Sequence, residues 1–255
     1  MMKLKPSKST SRASGWVSLG MLTLVICALP LLAGGALAAE ESPAAKQDSS
    51  WPKAAGGLQA TSLARTEFEV AIVQYWSLGP LLRAEAVMGG HNVVTVVNGD
   101  FYYAYDALTN SGYRIRRSPE AIARDATRER PFGMQLQEIL EQGGEKVREE
   151  NFEGVAVDVY RVTDDLGRRT LWVRKEASHV PVRLDTFDRA RGRTGRLDWI
   201  NWLAGLNIPE SFFTPPADAK LEEFESYEAY IARLMEGPVP PTRPLFLDLL
   251  SPWKR

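Results

Sequence analysis

Few residues of this chain could carry nucleophilic, acid–base or metal chemistry. The 255 residues include two histidines, His91 and His179, and one cysteine, Cys27. Each histidine stands at the start of a β-rich run, and neither has a serine-centred elbow or a cysteine partner nearby, as nucleophilic catalysis requires. Such a set also falls short of the ligands of most zinc sites. We therefore interpret both as turn residues, and we expect no catalytic residue, metal or cofactor.

Acidic pairs occur at two places, Asp164-Asp165 and Glu222-Glu223. The first pair lies in a predicted turn, and the second lies in the first turn of a predicted helix. Acidic residues are common at both positions because they bond to turn backbone and favour the positive end of a helix dipole. The pairs therefore do not indicate a glycosidase.

A basic cluster occupies a predicted hairpin tip at Arg189, Arg191, Arg193 and Arg196. It has two interpretations, a solvated tip or a contact surface for lipid headgroups or an anionic partner. The whole chain has 31 basic and 32 acidic residues and a net charge of -1. That balance gives no general attraction for a phosphate backbone, so we expect no nucleic-acid partner.

The N-terminal residues 1–38 have the three parts of an export signal. Four basic residues come first, an apolar stretch follows from Gly15, and Ala36-Leu37-Ala38 forms a small-x-small cleavage site. We predict cleavage after about Ala38 and a periplasmic protein. The alternative is an uncleaved helix that anchors the chain in the inner membrane. Cys27 lies within the apolar stretch and makes a poor lipid-attachment site.

The next segment and the C-terminal segment differ in composition from the middle of the chain. Residues 39–64 are rich in Ala, Gly, Ser, Gln and Pro, which predicts a flexible linker. Residues 238–255 begin with a Pro-rich break and continue as the apolar run 245–250, which must dock somewhere. The domain itself is predicted to span residues 65–237.

Strands dominate the predicted domain. Residues 66–76 alternate as a half-buried strand, with Phe68 and Trp76 on one side and Tyr75 on the other. Asn98-Gly99 between two β-rich runs predicts a hairpin that pairs Val96 with Phe101 and Val94 with Tyr103, all on one side of the sheet. Further strands are predicted at residues 155–163, 170–175, 180–187 and 193–202.

Helical segments interrupt and follow these strands. Ser118-Pro119 resembles a helix start, Pro131 divides the first helical stretch in two, and a last helix is predicted over residues 221–236. The class is therefore α+β, an antiparallel sheet with helical insertions. Because an exposed apolar sheet face must be covered, we expect the helices to lie over it and to leave an apolar cavity.

Three local matches, in this order, resemble the LolA/LolB-type lipoprotein-carrier superfamily of the bacterial envelope, over roughly residues 66–221. They are residues 96–106 (VVNGDFYYAYD), residues 130–136 (RPFGMQL) and residues 210–218 (ESFFTPPAD). The resemblance implies a curled, unclosed antiparallel sheet with a helical lid. Known carriers have an arginine before a proline that latches the lid. Here Gly79-Pro80 stands at that place, and Arg83 is a neighbouring substitute.

The resemblance also implies a non-catalytic carrier that shields acyl chains of lipids or lipoproteins in an apolar cavity. An inner- or outer-membrane protein is a further candidate partner. The alternative is an envelope sensor or interaction module that uses the same fold with a filled core. The expected cavity lining is the set of apolar residues on one side of the predicted sheet: Phe68, Val70, Ile72, Trp76, Val94, Val96, Phe101, Tyr103, Val173, Leu184, Leu197 and Trp199.

Overall fold

The computed structural model describes residues 56–67, 69–88, 90–176, 179–237 and 244–251. The strands are β1 Gly57–Thr66, β2 Val70–Leu78, β3 Leu81–Met88, β4 His91–Asn98, β5 Phe101–Asp106, β6 Ser111–Arg116, β7 Glu145–Phe152, β8 Val155–Asp164, β9 Gly167–Arg174, β10 Pro181–Asp188, β11 Arg193–Leu206 and β12 Lys220–Phe224. The helices are α1 Pro119–Asp125, α2 Gln135–Glu141, α3 Tyr227–Glu236 and α4 Leu247–Leu250, with a 3₁₀ turn at Glu210–Phe213.

All described strands belong to one sheet of 12 strands, in the order β12-β6-β5-β4-β3-β2-β1-β11-β10-β9-β8-β7. Neighbouring strands are antiparallel except for β12, which pairs parallel with β6. The edge strands β12 and β7 are not paired with each other in the described chain, so the sheet is not closed into a barrel. The predicted fold class, an α+β fold with an unclosed sheet and a helical lid, is confirmed.

The sheet register defines two faces. One cross-strand row on six neighbouring strands comprises Ala60, Tyr75, Ala84, Thr95, Ala104 and Tyr113. We call the side that carries this row the helix face, because the helices pack on it, and the opposite side the open face. The core is therefore divided, with apolar clusters on both sides of the sheet.

Short helices cover the helix face. Helix α1 begins at the N-cap Ser118, whose hydroxyl accepts a hydrogen bond from the Ala121 N–H at 3.1 Å. Helix α2 buries Ile139 against β8 and β9, and α3 places Tyr230 against Tyr113, with ring centroids 4.6 Å apart. Helix α4 buries Leu249 in the largest cluster. These segments are the predicted lid.

The sequence-based strand assignment is wrong at β1 and β2. Residues 57–64 of the predicted linker belong to β1, a central strand between β2 and β11. Residues 66–76 are not one strand, because a turn after Thr66 separates β1 from β2. Within β2 the buried side chains are Ala71, Val73, Tyr75 and Ser77, whereas Val70 is 63% exposed. Because the helix-face positions of β1 and β2 include Ala60, Ser62, Ala64 and Ala71, the larger residues Val70, Ile72 and Trp76 indicated the opposite side.

Two further predictions differ in register and type. The β4–β5 hairpin pairs Asn98 with Phe101 and Val96 with Tyr103, which is one residue away from the predicted register on each strand. Gly99 takes the first loop position at φ 58°, a conformation that costs glycine little.

Residues 220–224 form β12 rather than the start of the last helix, because the edge of β6 binds them as a parallel strand. The predicted division of the middle helical stretch is confirmed by α1 and α2.

Candidate functional site

The floor of the candidate site is a patch of small side chains on the helix face. Ala60, Ala84, Ala86 and Ala104 are each 0% exposed, although an alanine fills little space above a sheet. A floor of this kind lets large groups approach the backbone closely. The volume above it must be filled by other parts of the chain or by a guest molecule, because native interiors are close-packed.

Aromatic rings fill much of this volume. Phe132 stacks between Tyr75, at 5.1 Å and 22°, and Trp202, at 5.6 Å and 17°. Trp199 lies 6.5 Å from Trp202, and Phe246 meets Tyr75 edge-on at 5.6 Å. The rings come from strands, from the loop before α2 and from the C-terminal segment, so no single element encloses the site.

A buried arginine fixes the loop that carries Phe132. Arg130 Nε donates to the Phe132 carbonyl at 3.1 Å, and Arg130 Nη2 donates to the Gly133 carbonyl at 2.9 Å. Burial lowers the pKa of Arg130, and Glu129 opposes that change. Gly133 has φ 74°, and a Cβ there would lie 2.4 Å from the Trp202 ring. Residues 130–136 (RPFGMQL) therefore hold the Phe132 ring between Tyr75 and Trp202.

The C-terminal segment also occupies the helix face. Leu249 and Leu250 are 1% and 0% exposed. The Tyr102 hydroxyl donates to the Leu245 carbonyl at 2.6 Å, and the Ser118 N–H donates to the Leu250 carbonyl at 3.0 Å. We refer to the described residues 244–251 as the tail segment. The apolar run that needed a docking place therefore lies inside the predicted cavity region.

Two arginines hold the tail segment, and neither was predicted from the sequence. Arg117 Nε donates to the Leu249 carbonyl at 2.6 Å, and its Nη2 pairs with Asp125 of α1. Arg128 pairs with Asp248 at 2.6 Å. The sequence feature that could have pointed to Arg117 is its position directly before Ser118, the N-cap of α1.

The tail segment has a strained backbone at Phe246, the residue that anchors it against Tyr75. Phe246 has φ 56° and ψ 52°, the left-handed conformation, which is uncommon for a bulky residue that is not glycine. Such residues cost on the order of 1 kcal/mol or more and persist only where their surroundings impose them. The Phe246 ring packs edge-on against Tyr75, and the Phe246 carbonyl accepts a hydrogen bond from the Leu249 N–H at 2.9 Å.

Tyrosine hydroxyls line the boundary between the sheet and its cover. Burial raises the pKa of Tyr75 to about 12, and the hydrogen bond with Ser62 at 3.1 Å partly opposes the change. Burial also raises the pKa of Tyr102 and Tyr113. These side chains are neutral at physiological pH, so they add hydroxyl groups but no charge to the site. Its charged groups are Arg130 and the pairs that Arg117 and Arg128 make with Asp125 and Asp248.

Four of the predicted lining residues lie on the helix face. Val173 and Leu184 contact the cluster under α2, and Leu197 and Trp199 contact the cluster that includes the tail segment. Leu184 touches both clusters, so it connects the two parts of this face. These four residues are near the aromatic rings described above.

The other described lining residues lie on the open face, and the structure does not bring them to the helical lid. Val94 and Val96 are buried there beneath Phe212 and Phe213 of the 3₁₀ turn, with Trp76 and Tyr103 beside them. Three more are Val70, Ile72 and Phe101, which the register places on the same side. Phe68 lies outside the described residues, as do the predicted export signal 1–38, residues 39–55 of the predicted linker, and residues 238–243 and 252–255 of the C-terminal segment.

Arg83, the neighbouring substitute for a lid latch, also lies on the open face. Its Nη1 donates to the Phe212 carbonyl at 3.2 Å, and its guanidinium lies 4.7 Å from the Phe212 ring. Arg83 therefore holds the 3₁₀ turn and not the lid. In this chain it is Arg117 that joins α1 to the tail segment.

The histidines do not form a catalytic group within the described chain. His91 Nδ1 contacts the Asp106 carboxylate at 2.8 Å, and His179 has a positive φ of 42° between β9 and β10. The described ranges contain no group of three His, Cys, Asp or Glu side chains placed to bind a metal. No helix in these ranges combines the length and apolar character that a membrane crossing needs.

Comparison with known proteins gives structural neighbours. No protein-family model matches the chain, and no curated protein matches it. An uncharacterized conserved protein from Thermus thermophilus shares 18% sequence identity at a TM-score of 0.51, over 69% of this chain and 95% of that chain. MucB of Pseudomonas aeruginosa, solved with MucA, shares 11% at a TM-score of 0.42, over 69% of this chain and 60% of that chain.

A further neighbour is a putative outer membrane lipoprotein-sorting protein domain from Vibrio parahaemolyticus, with 13% identity and a TM-score of 0.32, over 62% of this chain and 89% of that chain. At these identities the likeness concerns the fold alone. The chain has an unclosed, mainly antiparallel sheet with helices over one face, which is the fold that the resemblance to the LolA/LolB-type superfamily implied.

Proposed function

We propose that the protein is a non-catalytic carrier or binding protein of the bacterial periplasm that shields acyl chains on its helix face. The observation that carries this proposal is the small-residue floor around Ala84, which is covered by short separate segments instead of by one continuous layer. Separate segments can move apart one at a time. A guest hydrocarbon then replaces the side chains that leave.

In such an exchange, burial of the guest chain is set against exposure of the side chains that leave. Burying one acyl chain of 14 to 16 carbons contributes on the order of 10 kcal/mol before entropic costs, at about 0.8 kcal/mol per CH₂ group. No charged contact is needed for useful affinity. The neutral tyrosines at the boundary, Tyr75 and Tyr102, also suit a hydrocarbon better than ionised groups would.

The tail segment is the part of the cover that we expect to leave. It is joined to the rest of the described chain through residues 238–243, which include three prolines, and its anchor Phe246 is strained. Leu249 and Leu250 provide apolar surface of the kind that an acyl chain would supply. The tail segment would then act as an internal substitute for cargo.

A second candidate function is an interaction module with a filled core. The stack of Tyr75, Phe132 and Trp202 favours it, because these rings already occupy space above the sheet. The tail segment adds Leu249 and Leu250 to the same filling. In this case an envelope membrane protein would be the partner, and no lipid would be carried.

The experiment that separates these functions measures lipid directly. Native mass spectrometry of the purified protein, combined with displacement of a fluorescent fatty acid, should detect acyl chains and competition by palmitate. The variant Leu249→Asp should bind the probe more tightly than the parent protein, because a buried carboxylate releases the tail segment.

The control for this experiment is Leu203→Asp, since Leu203 is 50% exposed on β11. It should leave probe binding unchanged. Absence of bound lipid and of probe displacement in the parent protein and in Leu249→Asp would exclude the carrier function. Recovery of a specific envelope protein in a pull-down, with no lipid bound, would favour the interaction module.

A further inference from the structure

An arginine-rich cleft lies on the open face, away from the helical cover. Its volume is about 680 Å³, and β1, β7, β8, β9, β10 and β11 contribute to its walls. Five arginines line it, namely Arg65, Arg148, Arg161, Arg168 and Arg196, against two carboxylates, Glu67 and Asp185. The cleft is therefore strongly positive, although the whole chain has a net charge of -1.

Three of these arginines have no partner in the described chain. Asp185 accepts two hydrogen bonds from Arg196, at 2.8 and 3.2 Å, and Glu150 accepts one from Arg148 at 2.6 Å. Arg65, Arg161 and Arg168, by contrast, are exposed and make no ion pair or side-chain hydrogen bond within the described ranges. Their guanidinium groups are free to bind an anion.

Cleft residues of five neighbouring strands form one cross-strand row, which has arginines at both ends. Arg161 faces Thr170, Thr170 faces Asp185, Asp185 faces Arg196, and Arg196 faces Arg65. Neighbouring strands are about 4.8 Å apart, so this row of five strands spans about 19 Å. Arg196, which already pairs with Asp185, lies directly opposite Arg65, so Arg65 supplies the unpaired guanidinium at this end of the row.

The chemistry favours phosphate. Arg161 and Arg168 are diagonal neighbours on β8 and β9, which places their Cα atoms about 7–8 Å apart. Two guanidinium groups at this spacing offer more N–H donors than the two oxygens of one carboxylate can accept. A phosphoryl group has more oxygens and more negative charge, so it suits the pair better. Thr170 lies between the two ends of the row, and Trp172 also lines the cleft.

We propose that this cleft binds a ligand that carries at least two phosphoryl groups, either a soluble phosphorylated molecule or the headgroups of an anionic membrane. The site is separate from the helix face, so this inference does not depend on the acyl-chain function. It also gives a role to residues that the hairpin-tip interpretation left solvated, because Arg196 belongs to the basic cluster of the β10–β11 hairpin.

The test uses inorganic pyrophosphate in calorimetry and flotation with vesicles of phosphatidylglycerol and phosphatidylcholine, against phosphatidylcholine alone. The double variant Arg161→Gln/Arg168→Gln should weaken binding by about tenfold or more, which corresponds to about 1.4 kcal/mol. Arg65→Gln should weaken it from the other end of the row. Binding should also fall as salt is raised, because the contacts are ionic.

The matched control is Arg124→Gln/Lys220→Gln, which removes the same charge outside the cleft. It should bind like the parent protein. Binding of pyrophosphate without vesicles identifies a soluble ligand, and binding of vesicles without pyrophosphate identifies membrane headgroups; either result supports the site if the cleft variants lose it. The proposal is overturned if neither probe binds, if the control loses as much affinity as the cleft variants, or if only an acidic peptide such as polyglutamate binds.

Discussion

At the scale of single residues, buried charges and hydrogen bonds fix the positions of the cover. Arg117 is the clearest case, because its guanidinium contacts α1, the tail segment and the Gly99 carbonyl at 2.9 Å. Its side chain is 4% exposed and that of Asp125 is 8% exposed. Removing Arg117 takes the nearer of two cationic partners from the buried Asp125 carboxylate, which then keeps only Arg128 at 3.5 Å.

We therefore expect Arg117→Leu to lower the free energy of unfolding by about 3–5 kcal/mol. The exposed pair between Arg233 and Glu222 is the control, and Arg233→Leu should cost at most about 1 kcal/mol. Urea denaturation measures both. Equal losses in the two variants would show that Arg117 does not clamp the cover.

The Asp106 carboxylate gives the molecule a pH-dependent element. Burial opposes its ionisation, but hydrogen bonds from His91, the Leu108 N–H and Thr109 outweigh burial, so its pKa is lowered. A lowered pKa in the folded state contributes stability above the unfolded pKa of about 3.9, and this contribution is lost as pH falls through the folded pKa.

The variant Asp106→Asn should therefore be less stable than the parent protein at pH 7, and the difference should shrink below about pH 4. Denaturation curves at pH 3 to 7 check this. Asp165→Asn, at an exposed turn, should stay within about 0.5 kcal/mol of the parent throughout. A constant deficit for Asp106→Asn at all pH values would contradict the assigned ionisation.

At the scale of elements, the sequence predicted those parts whose signals are local. Ser118-Pro119 predicted the start of α1, and the β-rich runs around Asn98-Gly99 predicted the β4–β5 hairpin and the shared side of Val96 and Tyr103. β1 was missed because its helix-face positions hold Ala60 and Ser62, which suggest a linker when read without their sheet neighbours. Non-local pairing decided both β1 and β12.

The candidate site was predicted only in part for the same reason. Leu184 and Trp199 were identified by their size and strand position, whereas Val70 and Ile72 were assigned to the cavity although they are on the open face. The alanine floor has no signal of its own in a single sequence. It is recognised only after Phe132 and Phe246 are seen above it.

The tail segment should behave as a separable element. Leu250 and Leu171 are both 0% exposed, and a buried leucine replaced by alanine costs about 2–5 kcal/mol. We expect Leu171→Ala, in β9, to lose that amount in urea denaturation. Leu250→Ala should lose clearly less, because the tail segment can detach before the sheet unfolds. Equal losses would mean that the tail segment is an integral part of the cooperative core.

At the scale of the whole molecule, the two faces of the sheet have different characters. The helix face carries the largest apolar cluster under short separate segments, whereas the open face has a buried patch under Phe213 and, on other strands, a positive cleft. The proposed acyl-chain site and the proposed phosphate site therefore lie on opposite faces of one wide sheet.

We propose that an acyl chain and the tail segment compete for the same part of the helix face. Hydrogen exchange measured with and without palmitate tests this most directly, because the Ser118 N–H donates to the Leu250 carbonyl and the Ser251 N–H donates to the Leu247 carbonyl. Palmitate should speed exchange at Ser118 and Ser251 while leaving amides of the central strands β3 and β4 protected. Bound palmitate with unchanged exchange at both residues, or no binding of palmitate at all, would contradict this competition.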